Sequence, residues 1–329
     1  MRIAIDAMGG DHAPELIVKG ALAAAEEWPD TELLLVGNQA AIEPFLGDKK
    51  PANVQLCHAD DVIGADDEPV RAVRRKKSAS MVVAGQLVKD KEADAMLSAG
   101  NTGALMATGL LVVGRMEGIE RPALAPMMPT MDDVGVLALD LGANMDAKPE
   151  HLRQYAIMGS IYRSKVHGMK EPRVGLLNVG TEAKKGNETT KIAYELLEQA
   201  PIHFIGNVEA RDVLTRNCDV LICDGFAGNI MLKAMEGAAG TIFSSLKDAF
   251  GQSMMTKLAA AIMLPRLRQL RKKMDYKEHG GAPLLGLNGL VVKCHGSSDV
   301  VAVKNAVRQA RVAIQGKLTD SISAEINRK

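Results

Sequence analysis

Short apolar runs alternate with longer stretches of helical periodicity along almost the whole chain. Arg2–Asp6, Leu33–Gly37, Val54–Ala59, Ala95–Ser98, Val174–Val179, His203–Val208, Val220–Asp224 and Leu290–Cys294 read as strands. Pro14–Trp28, Ser80–Lys91, Thr102–Val113, Glu150–Val166, Glu188–Gln199, Gly228–Phe250 and Asp299–Gly316 read as helices. Ala123–Pro129 and Val134–Asp140 flank a Met-Asp-Asp link and predict a hairpin. Near-continuous apolar strands alternating with helices predict an α/β fold with three layers, α/β/α, around a mostly parallel sheet. No repeat, low-complexity segment or linker interrupts the pattern, so residues 1–329 are expected to form a single domain.

Glycines and polar residues collect where the predicted strands end: Asp6–His12, Ser98–Gly103, Asp140–Asn144, Asn178–Asn187, Asp224–Asn229 and His295–Ser298. In parallel α/β sheets ligands bind at the carboxyl ends of strands. The expectation is that these clusters meet at one sheet edge and share a site.

In LSAGNTGAL, Gly100 and Gly103 leave room for backbone N–H groups to approach an anion, and Ser98, Asn101 and Thr102 can donate hydrogen bonds. A tight turn capped by Asn101 or Thr102 accounts for the stretch equally well. It is neither a Walker A loop nor a dinucleotide fingerprint, so neither ATP nor NAD is supported and no cofactor is expected. GLLNVGTEAKKGNET carries Asn178, Thr181, Lys184, Lys185 and Asn187 between a strand and a helix. Lys184 and Lys185 suit a phosphate or a polarised carbonyl oxygen; the plainer alternative is a solvated lysine pair. Asn229, after Gly228 in CDGFAGN, is a second candidate anion donor or a cap. His12 and His295 lie inside polar clusters and are candidates for acid–base work or for structure alone. Neither histidines nor cysteines have metal-site spacing, and no metal is expected.

Composition narrows the classes. In 329 residues the formal net charge is +0 and aromatics are 3%, which leaves neither a basic field nor stacking platforms for nucleic acid. The N-terminus MRIAIDAMGGDHAP turns polar too early for a signal peptide, and no uncharged run approaches the roughly 20 residues of a membrane span. Four cysteines without a Cys-x-x-Cys pair fit buried thiols in a reducing cytoplasm. There is no Gly-x-Ser-x-Gly elbow and no cysteine in an electropositive loop. Anion donors without an enzyme nucleophile point to a bound oxyanion that itself attacks.

Residues 251–276 stand apart. Met254, Met255, Leu258 and Ile262 share one helical face, and Met263 and Leu264 extend it to Pro265. Arg266, Arg268, Arg271, Lys272 and Lys273 follow. An apolar tip beside a basic run suits reversible docking on an anionic membrane, at about 1 kcal/mol per basic residue and roughly 1.5–3 kcal/mol per buried Leu or Met. A helical hairpin packed on the body or on a subunit is the alternative.

The stretches AIDAMGGDHAP, SAGNTGAL, LDLGAN, GLLNVGTEAKKGNE, CDGFAGNIMLKAMEG and GGAPLLGLNGLVVKCHGSSD, in this order over nearly the whole chain, resemble the bacterial phosphate acyltransferase family of phospholipid synthesis. The resemblance implies transfer of a long-chain acyl group from acyl carrier protein to inorganic phosphate. The product, acyl-phosphate, is then used by a membrane glycerol-3-phosphate acyltransferase. It further implies a homodimer with a fold like phosphotransacetylases and isopropylmalate dehydrogenases. Within that reaction Ser98, Gly100, Asn101, Thr102 and Gly103 would hold phosphate, together with Asn178, Thr181, Lys185 and Asn187. Lys184 and Asn229 would face the developing oxyanion, and His295 or His12 would hold or protonate a reacting group. The acyl chain would approach near Met254–Met263. A short-chain phosphotransacylase using a coenzyme A thioester and a non-catalytic membrane scaffold are the rival readings.

Overall fold

The computed structural model describes residues 1–47, 50–251, 255, 256, 260, 262–267 and 280–328. Its strands form two sheets. The first has the order β3 (Val54–His58), β2 (Glu32–Gly37), β1 (Arg2–Asp6), β4 (Ala95–Ser98), β12 (Leu290–Lys293), β11 (Ala282–Leu285) and β5 (Ala123–Leu124). From β3 to β12 it is parallel; β11 alone runs the other way, pairing antiparallel with both β12 and β5. The second has the order β6 (Met127–Met128), β7 (Val136–Leu139), β10 (Val220–Ile222), β8 (Arg173–Asn178) and β9 (His203–Glu209), parallel except for β6.

The expectation of one sheet edge is therefore corrected to two, and the expected hairpin is divided between them. β5 closes the first sheet and only β6 pairs with β7. The change of sheet takes one peptide step. Ala125 N–H donates to the Pro283 carbonyl of β11 at 3.0 Å, and the Pro126 carbonyl accepts from Ala138 N–H beside β7 at 3.0 Å. A proline suits this place because it has no N–H to satisfy.

Side chains alternate across the first sheet. Ile3, Ile5, Leu33 and Leu97 pack with α1 (Glu15–Glu27) and α9 (Val300–Gln315). Ala4, Leu34, Val36 and Met96 pack on the other face with α4 (Ser80–Lys89) and α5 (Thr102–Thr108). The second sheet rests Leu137, Leu139, Val174 and Leu176 on α6 (Pro149–His167) and α7 (Glu188–Glu198). Its other face meets Met231 of α8 (Gly225–Gly251). Both sheets thus have helices on two faces, and a single apolar cluster runs through both, joining Ile5 to Leu139. Three-layer α/β/α packing follows from strands that are apolar at consecutive positions.

Among the elements absent from the sequence reading, β11 carries Pro283, which reads as a strand breaker but lies opposite Val292 near the sheet's antiparallel edge. Helix α3 (Pro69–Arg75) is short and capped by the Glu68 carboxylate, which accepts from Val70 and Arg71 N–H. Helix α10 (Leu318–Ile326) follows α9. Among the described residues no helix is long and apolar enough to cross a membrane.

Leu139 is fully buried where β7 meets α6 and Gly159. Leu139→Ala is expected to lower unfolding free energy by about 2–5 kcal/mol, read from a urea midpoint shift at unchanged slope.

Candidate active site

The polar clusters fall at the carboxyl ends of parallel strands, as expected, but in two sets. Asp6–His12, Ser98–Gly103 and His295–Ser298 follow β1, β4 and β12 of the first sheet. Asp140–Asn144, Asn178–Asn187 and Asp224–Asn229 follow β7, β8 and β10 of the second. No hydrogen bond or ion pair joins the two sets among the described residues.

In the first set three strands end level, since Ser98 is in register with both Asp6 and Lys293. Asp6 is buried, and its carboxylate accepts from the Ser80 and Ser98 hydroxyls, each at 2.6 Å, and from Met8 N–H at 3.3 Å. Burial pushes the Asp6 carboxyl above its usual range; the Ser80 and Ser98 bonds pull the other way without overcoming it. Ser98 Oγ in turn accepts from Gly100 N–H at 3.0 Å. Its single hydrogen goes to Asp6, so Ser98 supports the turn. Asn101 caps α5 by accepting from Ala104 N–H at 3.0 Å, and its amide donates to the Ala65 carbonyl at 2.9 Å. Thr102 is exposed at the rim, and Gly103 packs on Pro69. The first turn meets the second at Gly9, where a Cβ would stand 2.5 Å from Asp6 Oδ2 and 2.7 Å from Gly100 N; only glycine permits the approach.

Between these turns lies a cleft of about 300 Å³ lined by Gly9, Gly10, Gly64, Ala65, Gly100 and Lys293 among others. The sequence gives little sign of Lys293 as a site residue. It ends a run, LVVK, read as an apolar strand, and the signal is that one cation in it. Its ammonium donates to the carbonyls of Ala99, at 3.5 Å, and Cys294. Burial pulls the Lys293 pKa below its ordinary value, while Cys294, Asp11 and Asp6 work against that. The Cys294 thiol beside it is pushed up to about 12 by burial and stays protonated near neutral pH. His295 Nδ1 accepts from Ser297 N–H at 3.1 Å and lies 2.8 Å from Ser297 Oγ, which leaves Nε2 as the N–H of the neutral ring. Asp11 N–H donates to the Gly296 carbonyl at 2.8 Å, tying the turn that carries exposed His12 to the one that carries His295.

In the second set a buried carboxylate again shapes the loop. Asp140 accepts from the N–H groups of Gly142 (3.1 Å), Ala143 (2.8 Å) and Asn144 (2.6 Å) and from the Asn144 amide (2.8 Å). Asn229, on the first turns of α8, lies against Gly142 of that loop. Asn178 donates to the Lys185 carbonyl at 3.1 Å and to Asn207 Oδ1 at 3.0 Å, while Asn207 donates to the Glu182 carbonyl at 2.8 Å. Two asparagines thus fold the lysine loop from within. Asn187 caps α7 by accepting from Thr190 N–H at 2.9 Å. Gly186 has φ +96°, and a Cβ there would stand 2.1 Å from Thr190 Oγ1, so the loop needs glycine. This packing leaves Thr181, Lys184 and Lys185 exposed, and among the described residues neither lysine side chain has a hydrogen-bond or ion-pair partner.

Met255, Ile262, Met263 and Arg266 are exposed. Met254, Leu258, Arg268, Arg271, Lys272 and Lys273 lie outside the described residues. The four cysteines are unpaired.

Residues 1–320 match the family described as "Fatty acid synthesis protein". A phosphate acyltransferase of Geobacillus thermodenitrificans is 56% identical over 328 residues, covering 100% of this chain and 99% of the relative. One from Bacillus anthracis is 54% identical over 329 residues, with 100% and 99% covered. Among solved structures, a phosphotransacetylase from Streptococcus pyogenes superposes with a TM-score of 0.60 at 16% identity, over 95% of this chain and 94% of the other. A branched-chain phosphotransacylase from Enterococcus faecalis gives 0.59 at 14% identity, over 95% and 99%. At such identity these two establish the shared fold, which agrees with the layers and sheets described above. The chain belongs to the fatty acid synthesis protein family and, with its full-length relatives, to the phosphate acyltransferases, which are acyltransferase enzymes.

Proposed function

We propose that this acyltransferase moves a long-chain fatty acyl group from the thioester of acyl carrier protein to inorganic phosphate. A phosphate oxygen attacks the thioester carbonyl carbon, the C–S bond breaks, and the carrier leaves as a thiolate that takes a proton. The product is acyl-phosphate, passed to a membrane glycerol-3-phosphate acyltransferase for phosphatidic acid synthesis. The observation that carries the reading is identity above half, end to end, to proteins named phosphate acyltransferase.

The residues fit the chemistry. Phosphate is already a nucleophile, so the protein needs to desolvate and aim it and to stabilise the tetrahedral oxyanion. Lys184, held out on a loop that Asn178 and Asn207 stiffen, is the proposed partner of that oxyanion, with Asn229 beside the Asp140 loop assisting. His295, with Nε2–H as donor, is the proposed proton source for the leaving sulfur. The glycine turns around Ser98, Gly100, Asn101, Thr102 and Gly103 are the proposed frame of the phosphate, with Asn178, Thr181, Lys185 and Asn187 of the lysine loop as further proposed phosphate contacts.

The exposed apolar side chains Met255 and Ile262, beside Arg266, favour reversible docking on the anionic inner face of the cell membrane, where the product is consumed. Phe226 and Ile230, four residues apart on α8, are exposed apolar surface that a second copy would cover in a homodimer.

Hydroxylamine trapping of acyl-phosphate distinguishes the substrates. Long acyl-carrier-protein thioesters are expected to react and acetyl-coenzyme A not; reaction of the latter alone would replace this reading with a short-chain one. Lys184→Ala is expected to reduce kcat on the order of 10²–10³-fold with an unchanged melting temperature; an unaltered rate removes Lys184 from the mechanism. Ile262→Glu is expected to release the protein from vesicles containing anionic phospholipid in co-sedimentation, and undiminished pelleting would assign this segment to another surface.

A further inference from the structure

We infer that the cleft at the carboxyl ends of β1, β4 and β12 is a binding site for a phosphate oxyanion and that Lys293 is its cation. The inference rests on the phosphate chemistry proposed above, and adds a cation, Lys293, to the turns already placed around the phosphate.

Position is the first argument. Lys293 ends β12 in register with Ser98, beside the level end of β1, with the glycine turns 9–10 and 99–100 and residues 64–65 around the same cleft. Placing an ammonium within an otherwise apolar strand costs free energy unless something compensates it. Its hydrogen bonds to the Ala99 and Cys294 carbonyls use two of three donors and fix where the group sits. A third donor is left to face the cleft that Lys293 lines.

Charge is the second. Among the described residues Lys293 forms no ion pair. The buried carboxylate of Asp6 spends its oxygens on Ser80, Ser98 and Met8, and Asp11, which borders the cleft from the Gly10 side, acts on Lys293 through space without an ion-pair contact. Cys294 is a thiol near neutral pH. Lys293 is thus a half-buried cation with no carboxylate in contact with it, and a ligand of opposite sign would stabilise it.

Shape is the third. Gly9, Gly10, Gly64, Gly100 and Gly296 all border the cleft, so its wall is backbone over much of its area. A small tetrahedral anion can come within reach of Lys293 there without displacing side chains. Lys184, by contrast, is exposed on a loop of the other sheet. The two lysines divide the work: Lys293 holds an anion in the ground state, and Lys184 answers charge that develops during reaction.

A phosphate oxyanion can reach this cleft as inorganic phosphate or as the phosphodiester of the carrier's thiol-bearing arm. The test uses the full-length protein and two titrations, one with inorganic phosphate by calorimetry and one with a long acyl-carrier-protein thioester, alongside steady-state kinetics. Lys293→Met is expected to raise Kd and KM for inorganic phosphate at least tenfold while KM for the thioester stays the same. A purely structural role would not produce that split. A rise for the thioester alone would assign the cleft to the carrier's phosphodiester. Unchanged affinity for both, or a wild-type protein that binds no phosphate, would overturn the inference. Should Lys293→Met not fold, Ala65→Asp, an exposed position on the cleft rim, supplies the same readout with the same tenfold loss expected and the same contrary result. Wild-type acyl-phosphate formation is measured in parallel: its absence counts against the proposed reaction, whereas intact turnover with unchanged phosphate affinity in the variant counts against Lys293 alone.

Discussion

A buried carboxylate at the end of a central strand organises the first half of the molecule. Asp6 has no solvent to stabilise its charge, so it takes hydrogen bonds from Ser80 on α4, Ser98 on β4 and Met8 in its own turn. Those bonds draw a helix, two strands and two glycine turns to one point. Gly9 then approaches Gly100 more closely than any side chain would allow. Without that knot the cleft beside Lys293 would have no fixed walls. Asp140 repeats the device in the second sheet, gathering three successive backbone N–H groups around one carboxylate.

The two halves are not independent bodies of packing. The chain passes from one sheet to the other across the single Ala125–Pro126 step, and the same apolar cluster contains strands of both. The proposed reaction draws on both sheets. One sheet carries a cation set in place by backbone carbonyls in a glycine-walled cleft; the other carries an exposed lysine pair on a loop braced by asparagines. Holding a nucleophilic anion and stabilising a transient oxyanion place different demands on a cation: the first needs preorganised ground-state contacts, the second contacts that strengthen in the transition state.

Much of this was legible in the sequence, and the exceptions have physical causes. Arg2–Asp6 and Ala95–Ser98 are strands residue for residue, because a strand buried on both faces writes an unbroken apolar run. The division into two sheets was not legible: β12 lies between β4 and β11, with Leu290 beside Ala95, and such distant pairing leaves no local pattern. Pro283 hid β11. Polar clusters at strand ends were found, but not how their atoms are spent. Ser98 reads as a donor for an anion until its register with Asp6 is known. Lys293 is hidden in the sequence because it ends an apolar strand, Leu290–Lys293, and the polar cluster starts only at His295.

The most direct measurement of the central claim is a crystal structure of the protein soaked in phosphate. A tetrahedral anion is expected within hydrogen-bond distance of Lys293 Nζ, against the Gly9–Gly10 and Gly100 turns. Phosphate bound instead at a site remote from Lys293, with that cleft holding none, would contradict it.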